Sequence, residues 1–457
     1  MVIMRKIFFH PFCWIMLALL FVQQILVASS TIWLVMTANA VYNNSGNYLP
    51  PLLLYLASLV LPYFPGGFAL VYLEKWSQSS QLKSIETTQT ELNHKPLLWI
   101  DLKEKEKKLP LFAKEGLQTI SGFTSYFYDL AACSLNALLN VITLSWIVEP
   151  LLLLGYGASL VMAALLVRFQ APINQQISSQ TEQSRIRLSS HLFRMWDNLV
   201  LGNSYNRGIW STRLSERFSQ AQHMNVKSVR FNQLVAIGIA LLTMLPTFII
   251  LIWSLQSRTH GITTTIAIVV SLPRIFQILN SSHQVLSLIS SWSTQKGKIE
   301  VLDSLFKFSS TENLLERIKF AQIQFEKHGT PHAIRSVDEC LRLLNQPGRM
   351  TLRGPNGSGK STLLLLLKNI LGSRAYYLPA QHSLTFQNES KERSTGEQLF
   401  ESLKEIAENN PSEVLLLDEW DANLDDKNKD KISLLIDNLS IQRGIVEIRH
   451  HSKNQHT

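Results

Sequence analysis

A glycine-rich segment in the last quarter of the chain has residue types and spacing that suit phosphate binding. It reads Gly354, Pro355, Asn356, Gly357, Ser358, Gly359, Lys360, Ser361, Thr362, which fits the pattern G-x-x-x-x-G-K-[ST]. Glycines allow backbone N–H groups to wrap around phosphates, Lys360 reaches the outer phosphates, and the Ser361 hydroxyl can bind Mg²⁺. The segment stands between a predicted strand, 349–353, and an apolar helical run, 363–371, as the pattern requires. The sequence therefore predicts binding of a nucleoside triphosphate with Mg²⁺.

Two carboxylates follow a second apolar run further along the chain. The run 414–417 (VLLL) has the composition of a buried parallel strand, and Asp418 and Glu419 come directly after it. At the carboxyl end of such a strand, Asp418 would hold Mg²⁺ and Glu419 would polarise an attacking water. An apolar strand that ends in two acids is a weak signal alone. In the same domain as the phosphate loop, it predicts hydrolysis of the bound nucleotide.

A third segment carries a resemblance to a known family. Ser394, Thr395, Gly396, Glu397 and Gln398 (STGEQ) match a variant of the S-x-G-x-Q signature of the ABC transporter superfamily, exporter type, which the chain resembles. The resemblance implies that this segment lies at a helix N-terminus and contacts the γ-phosphate of ATP held by another subunit. A serine, a glycine and free backbone donors at a helix start do suit an anion.

The resemblance also assigns roles to less distinctive positions. His450 is similar to the family's switch histidine, with His451 as a rival, and a solvated tail histidine is the alternative. Gln381 is similar to the glutamine that senses Mg²⁺ and couples to the membrane helices. Phe325 or His328 stands where an aromatic ring normally stacks on adenine, although the family's tyrosine is missing there.

The first two thirds of the chain predict six membrane spans. No Asp, Glu, Lys or Arg occurs from Ile7 to Leu73, a run far longer than the roughly 18 apolar residues that indicate one span. The polar turn 43–47 divides it into two helices. The predicted spans are 10–38, 49–73, 123–146, 150–168, 232–255 and 262–290, each long enough to cross a bilayer.

The basic residues predict the orientation of these spans. Lys and Arg concentrate in 1–6, 74–122 and 168–232, whereas the short loops between paired spans hold only Arg258. By the positive-inside tendency, both termini, both long loops and the ATPase domain are expected in the cytoplasm, with the protein in the plasma (inner) membrane. The same distribution explains the net charge of +9, so no nucleic-acid partner is expected.

One charge falls deep inside a predicted span. Arg274 lies in the sixth span, where an ionisable group usually faces protein or water rather than lipid. It is a candidate lining residue of a substrate path. The alternatives are an internal salt bridge, with Asp129 in the third span as one possible partner, and a span whose true position differs slightly from the predicted one.

The predicted fold combines an all-α transmembrane six-helix domain with an α/β P-loop (RecA-like) ATPase domain whose helical subdomain is reduced. The predicted boundaries are 1–300 for the transmembrane domain with its two long cytoplasmic loops, 301–317 for a linker and 318–457 for the ATP-binding domain. Only 381–394 is available where the family inserts its helical subdomain. That subdomain helps to receive the cytoplasmic loops, so force transmission is expected to be simplified, altered or lost.

The resemblance implies an ATPase that drives export of a peptide or another small amphipathic compound by alternating access of a homodimer. ATP and Mg²⁺ are the expected cofactors, and the lipid bilayer is the expected surrounding. Two alternatives stay open at this point. The chain could be one half of a heterodimeric transporter, or an ATP-binding membrane protein with a regulatory or immunity role that does not pump.

Overall fold

The computed structural model describes residues 8–43, 46–93, 95–101, 105, 108, 111–148, 150–256, 262–305, 314–327, 329–387, 395–422 and 424–449. The chain forms two compact units. The membrane unit comprises Met1–Glu86 and Leu111–Leu305, and the C-terminal unit comprises Thr87–Pro110 and Phe306–Thr457.

The membrane unit is built from long apolar helices. They are α1 (Pro11–Tyr42), α2 (Leu49–Val60), α3 (Tyr63–Leu92), α4 (Leu117–Ile147), α5 (Leu152–Leu192), α6 (Ser204–Gln256) and α7 (Ile262–Leu305). Within the described residues, six helical segments are long and apolar enough to cross a membrane, with α2 and α3 together forming one of them. The break between α2 and α3 falls at Pro62, which lacks the N–H that a continuous helix would use.

Packing within the membrane unit relies on small and polar residues at close approaches. Gly155 of α5 lies against α6, where an added Cβ would stand 3.4 Å from the Thr247 Cα. The buried hydroxyls of Ser159 and Thr247 lie 3.4 Å apart between the same two helices. Small residues allow such approach in a membrane, where apolar surface alone gives no preference for protein over lipid. Large apolar side chains such as Trp146 point outward, as they do in a multi-pass membrane protein.

Arg274, in α7, is tied to α1 by neutral oxygen atoms. Its Nε donates to Thr31 Oγ1 at 3.0 Å, and its Nη2 donates to the Val27 carbonyl at 2.7 Å and to Ser30 Oγ. No salt bridge between Arg274 and Asp129 occurs in the described part of the chain. The internal ion pair considered from the sequence is therefore wrong, because the guanidinium is already occupied by polar groups of α1.

The C-terminal unit is a mixed sheet flanked by helices. The strands are β1 (Gln324–Lys327), β2 (Thr330–Ala333), β3 (Gly348–Arg353), β4 (Ala375–Pro379), β5 (Val414–Asp418) and β6 (Gly444–Ile448), in the order β2-β1-β3-β6-β5-β4. The four strands β3, β6, β5 and β4 are parallel, and β1 pairs antiparallel with β2 and β3. The helices are α8 (Val337–Leu344), α9 (Lys360–Leu371), α10 (Thr395–Asn409) and α11 (Asp426–Ser440).

Both faces of the parallel strands are covered, which explains the continuous apolar run of β5. Val414 and Leu416 join one core cluster together with Leu363 and Leu367 of α9. Leu415 and Leu417 face the other way, into the cluster that contains Ile436 of α11. Parallel strands expose their carboxyl ends at one edge of the sheet. The chain segments after β3, β4, β5 and β6 therefore leave the sheet at the same edge.

The connection between β4 and α10 is short. Its described residues, 380–387, form a bend, a turn and irregular chain without a helix. A short 3₁₀ turn from the other part of the unit, Pro96–Ile100, packs against α9.

Candidate nucleotide site

The loop between β3 and α9 is shaped by glycines that no other residue could replace without strain. Gly357 and Gly359 have φ values of 79° and 92°, in the left-handed region. A Cβ on Gly359 would lie 2.6 Å from the Arg317 carbonyl oxygen. The adjoining Lys319 N–H donates to the Ser358 carbonyl at 3.0 Å, which fixes the loop against the chain that precedes β1.

The interior of this loop presents polar groups that suit phosphate. Ser358 is fully buried, yet its Oγ has no hydrogen-bond partner in the described residues. Lys360 begins α9, and its Nζ donates across the loop to the carbonyls of Gly354 (2.8 Å) and Pro355 (3.1 Å). An orphaned buried hydroxyl, a flexible lysine and a helix N-terminus together fit a triphosphate. Of the remaining predicted loop residues, Asn356 is exposed and Thr362 is half-buried in the first turn of α9.

The structure brings two of the predicted metal ligands together. Ser361 Oγ donates to Asp418 Oδ1 at 3.1 Å, which joins the first turn of α9 to the end of β5. Tyr377, on the neighbouring strand β4, donates its hydroxyl to Asp418 Oδ2 at 2.8 Å. Burial raises the pKa of the Asp418 carboxyl, although these two hydrogen bonds and Lys360 oppose the shift. One carboxylate and one hydroxyl, completed by phosphate oxygens and water, form a donor set that fits Mg²⁺.

Glu419 has an unusual backbone conformation directly after this pair. Its φ of 50° is the only positive φ of a non-glycine residue in the described chain. Its N–H continues the β5–β6 ladder by donating to the Ile448 carbonyl at 3.0 Å. The next residue, Trp420, is 3% exposed and donates its indole N–H to Glu447 Oε2 at 2.9 Å. The chain thus turns sharply at the residue predicted to activate water.

The other predicted site residues are less closely assembled. Gln381 is exposed, and in the described part of the chain its side chain makes no hydrogen bond with Ser361 or Asp418. Gly396 is buried in the first turn of α10, where it faces Asn428 of α11, and Glu397 and Gln398 are exposed. Ser394 and His450, with the rival His451, lie outside the described residues.

Neither aromatic candidate for base stacking gains support. Phe325 is 0% exposed and packs in the core cluster beneath β1 and β3, so its ring faces the sheet interior and cannot stack on adenine. That expectation is wrong because alternation along β1 turns this side chain inward. His328 lies outside the described residues.

Sequence reasoning missed Tyr377 and the carboxylate of Glu447. Tyr377 lies two residues before the end of β4, and it reaches Asp418 because β4 and β5 are neighbours in the sheet. Glu447 is 1% exposed in the otherwise apolar strand β6. An acid inside an apolar strand is a signal that the sequence does contain.

Comparison with known proteins gives a fold-level match. No protein-family model matches the chain, and no curated protein sequence matches it. Among solved structures, it is similar to a structure described as a bacterial Atm1-family ABC exporter with ATP bound. The sequence identity is 13% and the TM-score is 0.61, over 94% of this chain and 90% of that chain. This protein therefore has the overall fold of an ABC exporter.

Proposed function

We propose that the protein is an ATP-hydrolysing exporter subunit that moves a peptide or another small amphipathic compound across a membrane. The observation that carries the proposal is the assembly of the phosphate loop, the Ser361–Asp418 pair and Glu419 at one edge of the sheet. This assembly belongs to a chain whose membrane unit has six membrane-length helices. The exporter fold supports the same function.

Each group in the site has a chemical task in this proposal. Lys360 neutralises charge on the β- and γ-phosphates, and the N–H groups at the start of α9 donate to phosphate oxygens. Ser361 and Asp418 would hold Mg²⁺, which would supply positive charge to neutralise the phosphates. Glu419 orients and deprotonates the attacking water. By the family resemblance, Gln381 would sense the metal, and His450, two residues after β6 in the sequence, would contact the transferred phosphoryl group.

The chain holds one phosphate loop and one signature segment, so two copies would complete two ATP sites. The loop of one copy would face Ser394, Gly396, Glu397 and Gln398 of the other. Nucleotide binding closes the two C-terminal units, and hydrolysis reopens them, which rearranges the membrane helices between inward- and outward-open states. A homodimer would form both sites in this way, and a heterodimer with a related chain is the alternative. The basic segments favour a plasma-membrane protein with both termini and the C-terminal unit in the cytoplasm.

The test is ATP turnover by the purified full-length protein in lipid vesicles, compared with the variant Glu419→Gln. Loss of a general base typically lowers turnover by about 10²- to 10⁴-fold. The variant should keep its affinity for a fluorescent ATP analogue, because glutamine has the same size and leaves the phosphate loop intact. Lys360→Ala should instead weaken nucleotide binding itself.

Glu413→Gln is the matched control. Glu413 is an exposed carboxylate just before β5, paired with Arg374 at 2.7 Å, so the same chemical change is made outside the site. Equal turnover by Glu419→Gln and Glu413→Gln would overturn the proposal. ATP binding without turnover in the unaltered protein would favour the regulatory, non-pumping alternative.

A further inference from the structure

A buried carboxylate on β6 is linked to the residue that follows Glu419. Glu447 Oε2 accepts from the Trp420 indole N–H at 2.9 Å and from Arg349 Nη2 at 2.8 Å. Its Oε1 accepts from Arg349 Nε and from Thr351 Oγ1, both at 3.0 Å. A charge that is 1% exposed is tolerated only when it is paired and hydrogen-bonded, and Glu447 meets both conditions.

This network fixes Trp420 from two sides. The indole N–H is held by Glu447, and the guanidinium carbon of Arg449 lies 5.3 Å from the centre of the Trp420 ring. Arg349 itself is held by Asp437 at 2.8 Å and by Ser433 Oγ at 2.9 Å, both on α11. The position of Trp420 is therefore set by β3, β6 and α11 together.

Hydrogen bonds hold the backbone at Glu419 on both sides. Its own N–H is bonded to β6, and the side chain of the next residue is bonded to Glu447. A glutamate with a φ of 50° is strained, and such conformations persist only where the surroundings over-determine them. If the indole were released, the backbone could relax toward negative φ, and the carboxylate of Glu419 would swing to a new direction.

We propose that Glu447, acting through Trp420, is a positioning residue that holds Glu419 in its left-handed conformation and so aims its carboxylate at the phosphate loop. The inference rests on the proposed ATPase function, in which Glu419 activates water. Trp420 and Glu447 touch neither nucleotide nor metal in this scheme.

The decisive comparison is Trp420→Phe against Thr351→Val. Each variant removes one hydrogen bond to the Glu447 carboxylate, but only the first releases the residue after Glu419. Thr351→Val keeps the side-chain shape, whereas phenylalanine is smaller than the buried indole that it replaces. Both should lower the melting temperature, Trp420→Phe by more because it also leaves a small cavity in the core. Trp420→Phe should lower kcat by about 10- to 100-fold, because small misplacement of a catalytic group has such effects. Thr351→Val should leave kcat unchanged, and both should keep the affinity for a fluorescent ATP analogue.

Glu447→Gln is a second variant, which should be less stable than Trp420→Phe and yet more active. Trp420 and Arg349 can only donate, whereas the Thr351 hydroxyl can also accept. The amide oxygen should therefore face Trp420, and the amide nitrogen should face Thr351 and lose the hydrogen bond from Arg349 Nε. This variant removes a buried negative charge beside Arg349 and should be less stable than Trp420→Phe. It nevertheless keeps the acceptor for the indole, so it should retain more turnover.

Adding Trp420→Phe to the Glu419→Gln variant distinguishes an effect on the position of Glu419 from a general loss of folding. In that background Trp420→Phe should cause no further loss of turnover, since there is no carboxylate left to aim. Equal kcat values for Trp420→Phe and Thr351→Val, or a further loss in the Glu419→Gln background, would overturn the inference. Failure of the unaltered protein to hydrolyse ATP would instead overturn the proposed function.

Discussion

The predicted signature glycine, Gly396, allows a test that separates packing from contact with nucleotide. Gly396 lies in the first turn of α10, facing the side chain of Asn428 on α11. A Cβ added by Gly396→Ala would stand 2.7 Å from Asn428 Nδ2 and 2.8 Å from its Cγ. Asn428 would have to move, and its hydrogen bond to Asp425 would be strained or lost.

The expected change in stability is small because two effects oppose each other. Alanine is favoured over glycine inside a helix by about 0.5–1 kcal/mol. Overpacking against Asn428 costs about 1–3 kcal/mol. Gly396→Ala should therefore unfold at a slightly lower temperature than the unaltered protein. Adding Asn428→Ala removes the two closest atoms, Nδ2 and Cγ, and leaves the Cβ at 3.0 Å, so the double variant should recover most of that loss.

The assay is ATP turnover in lipid vesicles for Gly396→Ala, Asn428→Ala and the double variant, with melting temperatures measured alongside. If the nucleotide of a second subunit needs the space between Gly396 and Asn428, the double variant stays impaired although its stability recovers, because the added methyl group fills that space. Asn428→Ala alone should keep most of its turnover. Recovery of turnover in the double variant would refute the reasoning, since the glycine would then serve packing within its own chain.

Two further predictions concern Asp418 and Arg274. Because burial raises the pKa of Asp418, its contribution to folding is fully present below about pH 4 and is lost as pH rises through the raised value. Asp418→Asn should therefore raise the melting temperature at neutral pH without Mg²⁺. Mg²⁺ and ATP should no longer stabilise this variant. A melting temperature below that of the unaltered protein, measured without Mg²⁺, would contradict the prediction. Arg274→Gln removes the bonds from α7 to Thr31 and Val27, each worth about 0.6–2 kcal/mol between membrane helices. It should lower the melting temperature in detergent with ATP affinity unchanged, and equal melting temperatures would show that these bonds do not hold α1 to α7.

Local sequence patterns predicted those features whose causes are local. Six helices long and apolar enough to cross a membrane occur as expected, because a span must satisfy its own backbone and be apolar along its length. The strand before the phosphate loop and the helix after it also occur, with α9 ending at Gly372. The glycine positions of the loop also have a local cause, because Gly357 and Gly359 adopt left-handed φ values that other residues rarely adopt.

Features that depend on which strands become neighbours could not be predicted. Tyr377 reaches Asp418 only because β4 lies beside β5, and Glu447 reaches Arg349 only because β6 inserts between β3 and β5. The error at Phe325 has the same origin. A position near the adenine site was inferred from the family pattern, whereas the pleat of β1 decides which face the ring occupies.

The C-terminal unit also includes a segment from the first third of the chain. Thr87–Pro110 belongs to this unit although it precedes α4 in the chain, and a division at one sequence position could not have included it. Its 3₁₀ turn Pro96–Ile100 packs on α9, the helix that begins with Lys360. This turn therefore contacts the helix that carries Lys360 and Ser361 in its first turn, within the C-terminal unit itself.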